Sequence, residues 1–385
     1  MKQDKTSKWT IFFFMGAALA LGSRLPAAQA DAAARNNPLV ESSSGDKQWQ
    51  GLQAAARPWT REEMLSAVPV DVPGVNDETL AMWAAESISK SAYDTKGGPG
   101  FEPGAAPGGR VDKRVMDALS LGVEQAGMNK GYSYPPPYTR YETFPNYTGY
   151  PHATVGKVFF TKPGIGNFVC SASSVGGDAV ITVAHCIHDS ATTTFWTNWV
   201  FIPAYKNGVA PFGQWSANIL YYLSAYRNGG SGDSRYDIGG AVLNRNSGLK
   251  ISQKVGFLGF AWNQSTSSTS AHWAVIGYPQ AAPFNGNNQY ICQASYAYNA
   301  GGSAPSPIAV GCDQTGGTSG GPWVRNYAGI SGAVNYVNGV NSYRRCFDAA
   351  CNSLYTQELF SPYFDNNSKV LKDCLVNSTP GHPAC

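Results

Sequence analysis

From residue 152 onward the chain is cut into short apolar or alternating runs by glycine, asparagine and proline, and this punctuation limits the fold more than any other feature. Runs at 155–161, 168–175, 179–184, 195–203, 219–225, 238–243, 255–259, 273–278, 289–298 and 330–336 have strand length and carry β-branched or aromatic side chains. Such runs, with no helical period between them, predict antiparallel barrels or a sandwich. No repeat of roughly 20–50 residues runs through them, which argues against a propeller or solenoid. A terminal helix fits only after Asp365.

The first thirty residues have a different texture. Lys2, Lys5 and Lys8 precede an apolar stretch at 11–22, and Ala28-Gln29-Ala30 supplies a small-x-small cleavage pattern. This reads as a signal peptide, residues 1–30, cut before Asp31. A membrane anchor would need about 20 apolar residues, more than this stretch holds. No later stretch is apolar enough to span, so the mature chain is expected to be secreted, extracellular or periplasmic, with no membrane partner.

Cysteine usage agrees. Cys170, Cys186, Cys292, Cys312, Cys346, Cys351, Cys374 and Cys385 all lie in the C-terminal part, and an even number in an exported chain reads as disulfides. Many connectivities are open; pairing each cysteine with its neighbour in sequence closes four short loops. A metal reading is weak, because no Cys-x-x-Cys pair occurs and His185 beside Cys186 has no second ligand pair at zinc spacing. No acidic loop with calcium-ligand spacing stands out either. The formal charge of +3 comes without long basic runs, so nucleic acid is not an expected partner.

Residues 31–150 lack cysteine and carry helix-like pieces. Thr60-Arg61-Glu62-Glu63 reads as a capping box, Asn76 caps a helix running through Trp83 and Ile88 toward Tyr93, and a third helix fits 112–125. Breaker-rich linkers at 96–100 and 103–109 and the spacer Pro135-Pro136-Pro137 separate these pieces from the strand-rich region. Residues 31–150 are either a pro-segment that assists folding and blocks a site, or a spacer. Residues 151–385 would form the active domain.

Three segments there carry chemistry. Val180-Ile181-Thr182-Val183-Ala184-His185-Cys186 ends an apolar strand in an imidazole that can exchange a proton near neutral pH. Tyr236-Asp237-Ile238-Gly239 places a carboxylate at the mouth of a strand, where it could orient that imidazole through Nδ1. In Gly316-Gly317-Thr318-Ser319-Gly320-Gly321-Pro322, glycines leave the serine hydroxyl uncrowded and the N–H groups of Gly317 and Ser319 free to face an oxyanion. Singly, each segment would be read as a structural histidine, a turn residue and a Gly-rich hairpin. Their combination, in the order His, Asp, Ser, changes the reading.

These segments resemble the chymotrypsin-fold serine endopeptidases over about residues 152–345, with a flavour similar to the bacterial glutamyl-endopeptidase or V8-like branch. The resemblance implies an all-β fold of two antiparallel six-stranded barrels, with the active site in the cleft between them and a partly helical pro-segment ahead. It implies catalytic His185, Asp237 and Ser319, an oxyanion hole at Gly317 and Ser319, and a Cys170–Cys186 disulfide. The implied enzyme is monomeric, needs no cofactor and acts on proteins or peptides. Its own pro-segment would serve as intramolecular inhibitor or folding aid.

The departures matter too. Thr318 stands where animal members carry an Asp that pairs with a newly cut N-terminus, and Ala153-Thr154-Val155-Gly156 stands in place of Ile-Val-Gly-Gly. Activation by that ion pair is therefore not expected; the pro-segment would be removed somewhere within about 130–153, with Arg140-Tyr141 a candidate bond. Counting back from Ser319 puts Asp313 at the floor of the specificity pocket, where it would meet a basic P1 side chain or else act as a structural loop residue. The expected pocket wall is 329–334, with Ser331 and Gly332, and holds no imidazole to meet an acidic P1 side chain. His152, His188 and His272 are spare imidazoles, with His188 expected in a solvated loop.

Two alternatives compete. An α/β-hydrolase elbow also fits Gly317-x-Ser319-x-Gly321 but needs the order Ser, acid, His, and the sole histidine after Ser319 is His382. A catalytically inactive binding protein of protease fold would typically have lost a triad member.

Overall fold

The computed structural model describes residues 39–85, 97–98, 100–103, 135–227, 232–264, 271–300, 306–328 and 335–377. The expected signal peptide, the helix at 112–125, the pocket residues Ser331 and Gly332, and Cys385 lie outside them.

Six strands close a first antiparallel barrel: Val155–Lys162, Gly166–Gly176, Ala179–Thr182, Gly239–Leu243, Trp215–Leu223 and Thr197–Pro203, the last pairing back with the first. Both faces of its strands are buried, Val158, Phe201 and Leu220 on one and Phe159, Val169 and Ile181 on the other, in keeping with runs whose β-branched and aromatic residues lack a polar face. A second antiparallel run has the order Glu358–Ser361, Ile308–Gly311, Tyr290–Asn299, His272–Gly277, Pro322–Arg325, Tyr336–Val340, and builds the second barrel around Trp273 and Trp323. The fold is thus the expected two-barrel, all-β one. The terminal helix Asn366–Asn377 begins just after Asp365, whose carboxylate accepts from the N–H groups of Asn367 and Ser368, and buries Leu371 and Leu375.

One expected strand is corrected. Residues 255–259 do not form a strand: Val255 ends the helix Ile251–Val255, and Gly256 (φ 77°) stops it in a left-handed conformation before the strand Gly259–Ala261.

The N-terminal pieces belong to the same compact unit as the barrels. Val40–Ser42 adds to the first barrel through Trp215–Leu223, and Tyr138–Glu142 adds to the second through Tyr290–Asn299. Thr60 forms the expected capping box with Glu63 on the helix Arg61–Ser66, and Asn76 caps Asp77–Ala85 by accepting from the Thr79 N–H. Trp49, Trp59 and Trp83 are buried as anchors. Gln53 donates to the carbonyls of Trp199 and Ala217 and accepts from the Trp199 N–H, satisfying barrel backbone from outside.

Disulfides join Cys170 to Cys186, Cys292 to Cys312 and Cys346 to Cys351. Cys374 is also disulfide-bonded. Among the described residues no helix is long and apolar enough to cross a membrane.

Candidate active site

The buried strand Ala179–Thr182 runs into a single turn, Ala184–Cys186, that carries His185. The Cys170–Cys186 disulfide pins this turn to the neighbouring strand Gly166–Gly176. Asp237 lies just ahead of Gly239–Leu243, which pairs with the histidine strand, so adjacent strands of one barrel deliver the imidazole and the carboxylate. Asp237 Oδ1 accepts from the backbone N–H of His185 at 3.0 Å, and Oδ2 accepts from His185 Nδ1 at 2.7 Å. A carboxylate only accepts, so Nδ1 carries the proton and Nε2 is left to act as a base. Ser342, which no sequence motif marks, donates its hydroxyl to Asp237 Oδ2 at 2.6 Å. Burial by itself would raise the pKa of Asp237. Electrostatic attraction to His185 and the hydrogen bonds from His185 and Ser342 outweigh it and hold the carboxyl below its ordinary value.

Ser319 occupies the turn before Pro322–Arg325, between two left-handed glycines, Gly317 (φ 93°) and Gly320 (φ 83°). A Cβ on Gly320 would lie 1.9 Å from Thr182 Oγ1, at the end of the histidine strand, so only glycine lets the serine turn pack this closely on that strand. The Ser171 N–H donates to the Ser319 carbonyl at 2.7 Å, and the Ser171 hydroxyl to the Gly317 carbonyl at 3.0 Å. On the other side the Gly320 N–H donates to the Asn341 carbonyl and the Asn341 N–H to the Gly321 carbonyl, both at 2.8 Å. The turn is therefore held between the strand Gly166–Gly176, which neighbours the histidine strand, and the residue preceding Ser342. Ser319 Oγ and His185 Nε2 are both buried without a hydrogen-bond partner.

Thr318 replaces an ionic latch with a neutral one. Its hydroxyl donates to Gln314 Oε1 at 2.5 Å and accepts from Asn341 Nδ2 at 2.7 Å, while Asn341 Oδ1 accepts from Trp323 Nε1. The Gly316 carbonyl accepts from the N–H groups of Gln280 and Ala281. Gln280 Oε1 in turn accepts from Lys157, whose ammonium is buried enough that its pKa falls to about 7. The Gly317 N–H donates to the carbonyl of Val70 at 3.0 Å.

Of the candidate pocket residues only Asp313 lies among the described ones. Asp313 is ion-paired to Arg140 on Tyr138–Glu142. The same pair places the candidate bond Arg140-Tyr141 inside a paired strand, so a cut there requires that strand to peel from its neighbour. The expected wall, residues 329–334, lies outside the described residues; nearer Asp237, on the far side of Ser342, Arg344 is buried and donates to the Gln314 carbonyl. His188 is not solvated, a correction to the expectation: it stacks on Tyr222 and meets Phe195 edge-on, and burial lowers its pKa to about 4. His152 bonds the Asn146 carbonyl, and His272 bonds Ser295 and Gln293. Cys170, His185 and Cys186 cluster closely, but both sulfurs are spent in one disulfide and offer no thiolate to a metal.

No protein-family model matches the chain. It is similar to the thermostable serine protease AL20 from an extremophilic microorganism: 32% identical, TM-score 0.50, covering 59% of this chain and 98% of that one. It is similar also to the protease Anisep of Arthrobacter nicotinovorans, at 30% identity and TM-score 0.50 over 58% of this chain and 96% of that one. Over 135 residues it is 27% identical to the glutamyl endopeptidase of Bacillus licheniformis, a match that takes in 35% of this chain and 38% of that relative's length.

Proposed function

The chain belongs to the chymotrypsin-fold serine endopeptidases, and from that premise we propose that Ser319, His185 and Asp237 cleave peptide bonds through an acyl-enzyme. Ser319 Oγ attacks the scissile carbonyl carbon as its proton passes to His185 Nε2, and the N–H groups of Gly317 and Ser319 take the oxyanion. When the C–N bond breaks, His185 returns the proton to the departing amine. Water then enters by the same route and releases the acid, restoring Ser319. Asp237 keeps Nδ1–H in place throughout and stabilises the imidazolium.

The observation that carries this reading is the buried Asp237 carboxylate, which receives His185 through both its backbone N–H and Nδ1. A carboxylate serving only to cap the turn would not also need the ring. The test is active-site titration of processed protein with a fluorophosphonate. Stoichiometric labelling at Ser319 is expected; absence of labelling would instead favour a binding protein on a protease fold.

Residues 31–150 are proposed as a pro-segment, residues 1–30 as a signal peptide, and the enzyme as a secreted monomer without cofactor. The disulfides suit an oxidising compartment. Asp313, ion-paired to Arg140 as long as residues 138–142 stay paired with the second barrel, is proposed there as structural rather than as the partner of a basic P1 side chain.

A further inference from the structure

We propose that residues 67–75 fill the substrate cleft in the direction opposite to a substrate, forming a peptide inhibitor that the enzyme holds without cutting; this rests on the roles proposed for Ser319 and His185. The segment is seated along its whole length. Gln280 Nε2 donates to the Ala67 carbonyl at 2.6 Å, and residues Val68–Pro69 pair in parallel with Phe168 and Val169. The Val70 N–H donates to the Val169 carbonyl, and the Val70 carbonyl takes the Gly317 N–H, the donor assigned to the oxyanion. Beyond it, the N–H groups of Arg344 and Cys346 donate to the carbonyls of Pro73 and Val75, both at 2.9 Å, as Gly74–Val75 pairs in parallel with Arg344–Arg345. Val70, Val72 and Val75 are buried, and so is Ser319. A Cβ on Gly74 would lie 2.3 Å from Cys351 Sγ and 2.9 Å from Cys346 Sγ, so this position admits glycine alone.

Direction is dictated by where the proton must go. A peptide is cut only if its departing amine, on the C-terminal side of the attacked carbonyl, faces His185. Here the N-terminal side of Val70 lies on Phe168–Val169, next to Cys170 and its bridge to the residue after His185. The C-terminal side leaves along residues 344 to 346, away from Ser342 and its bond to Asp237. The nitrogen of Asp71 therefore departs from the histidine, and a carbonyl seated in the oxyanion site is left uncut. Because the Thr318 latch already holds the serine turn, occupancy of the cleft is what silences the precursor.

The test uses the full chain from Asp31. Gly74→Val should expel the segment and speed fluorophosphonate labelling of Ser319 by roughly tenfold or more relative to the unaltered chain. Should that variant fail to fold by circular dichroism, Val72→Asp serves the same comparison. A synthetic peptide of residues 61–76, added to the variant, should restore slow labelling and remain intact by mass spectrometry. Equal labelling rates in the two chains, or cleavage of the peptide between Val70 and Asp71, would overturn the proposal. No labelling of either chain would instead remove the assignment of Ser319, and the inference with it.

Discussion

Asp237 accepts three hydrogen bonds in a site closed to water, and each donor has a separable role. Removing the Ser342 hydroxyl by Ser342→Ala leaves His185 bonded but loosens the carboxylate, and a charged hydrogen bond of about 1.5 kcal/mol corresponds to a fall in kcat of roughly tenfold. KM should change little, which steady-state kinetics would show; an unchanged kcat would make Ser342 a packing residue. Ser319→Ala should lower turnover by about six orders of magnitude, and adding His185→Ala should cost little more, since the three residues act as a unit. Retention of a tenth of the activity in the single variant would refute the assignment. Asp313→Ser should leave P1 preference unchanged in a scanning peptide library run on enzyme cut ahead of Pro135, which keeps Arg140 on that carboxylate; loss of cleavage after Arg and Lys would return Asp313 to the pocket. The pairing of His185 with Asp237 and the proposed place of Ser319 beside it could be anticipated because each residue sits in a local pattern of strand end or glycine turn. Ser342 could not be, since a serine following Val340-Asn341 has no signature until the fold brings it to Asp237.

At the scale of elements, local chemistry was most readable where it is self-contained. Thr60 and Glu63 cap their helix reciprocally within one turn, and the ion pair of Glu63 with Arg57 together with the Thr60 bonds holds the Glu63 carboxyl down to about 2. Thr60→Ala should cost about 1 kcal/mol in denaturant unfolding of the precursor, measured on the Ser319→Ala chain to prevent self-digestion. A loss too small to measure would mean that the tryptophan anchors alone hold this helix. The run at 255–259 misled because a short apolar stretch does not reveal its period, and a glycine at φ 77° divides it into helix and strand. The strands Val40–Ser42 and Gly74–Val75 were invisible for another reason: each borrows its hydrogen bonds from a partner far along the chain.

Across the whole molecule, buried bases set the dependence of stability on pH. His188 has its pKa lowered from 6.5 to about 4, so between those values the unfolded chain takes a proton that the folded one refuses, and stability falls as pH drops through that window. Lys157, lowered to about 7 from 10.5, acts in the same sense at higher pH: stability climbs from about 7 toward 10.5 as the unfolded chain loses the proton the folded state already lacks. Urea midpoints across pH should therefore slope less at acid pH in His188→Phe, and less above neutrality in Lys157→Met; unaltered slopes would count against these groups. The sequence by itself determined the β class, the order His, Asp, Ser and the glycines of the serine turn, because these depend on side-chain alternation and on backbone freedom, which act over a few residues. Only the tertiary structure decided that Ser342 bonds Asp237, that Arg140 pairs with Asp313, that His188 is buried and that Val70 takes the Gly317 N–H. Those relations join positions from 105 residues apart, for Asp237 with Ser342, to 247, for Val70 with Gly317, where contact depends on how the barrels close and no local pattern carries it.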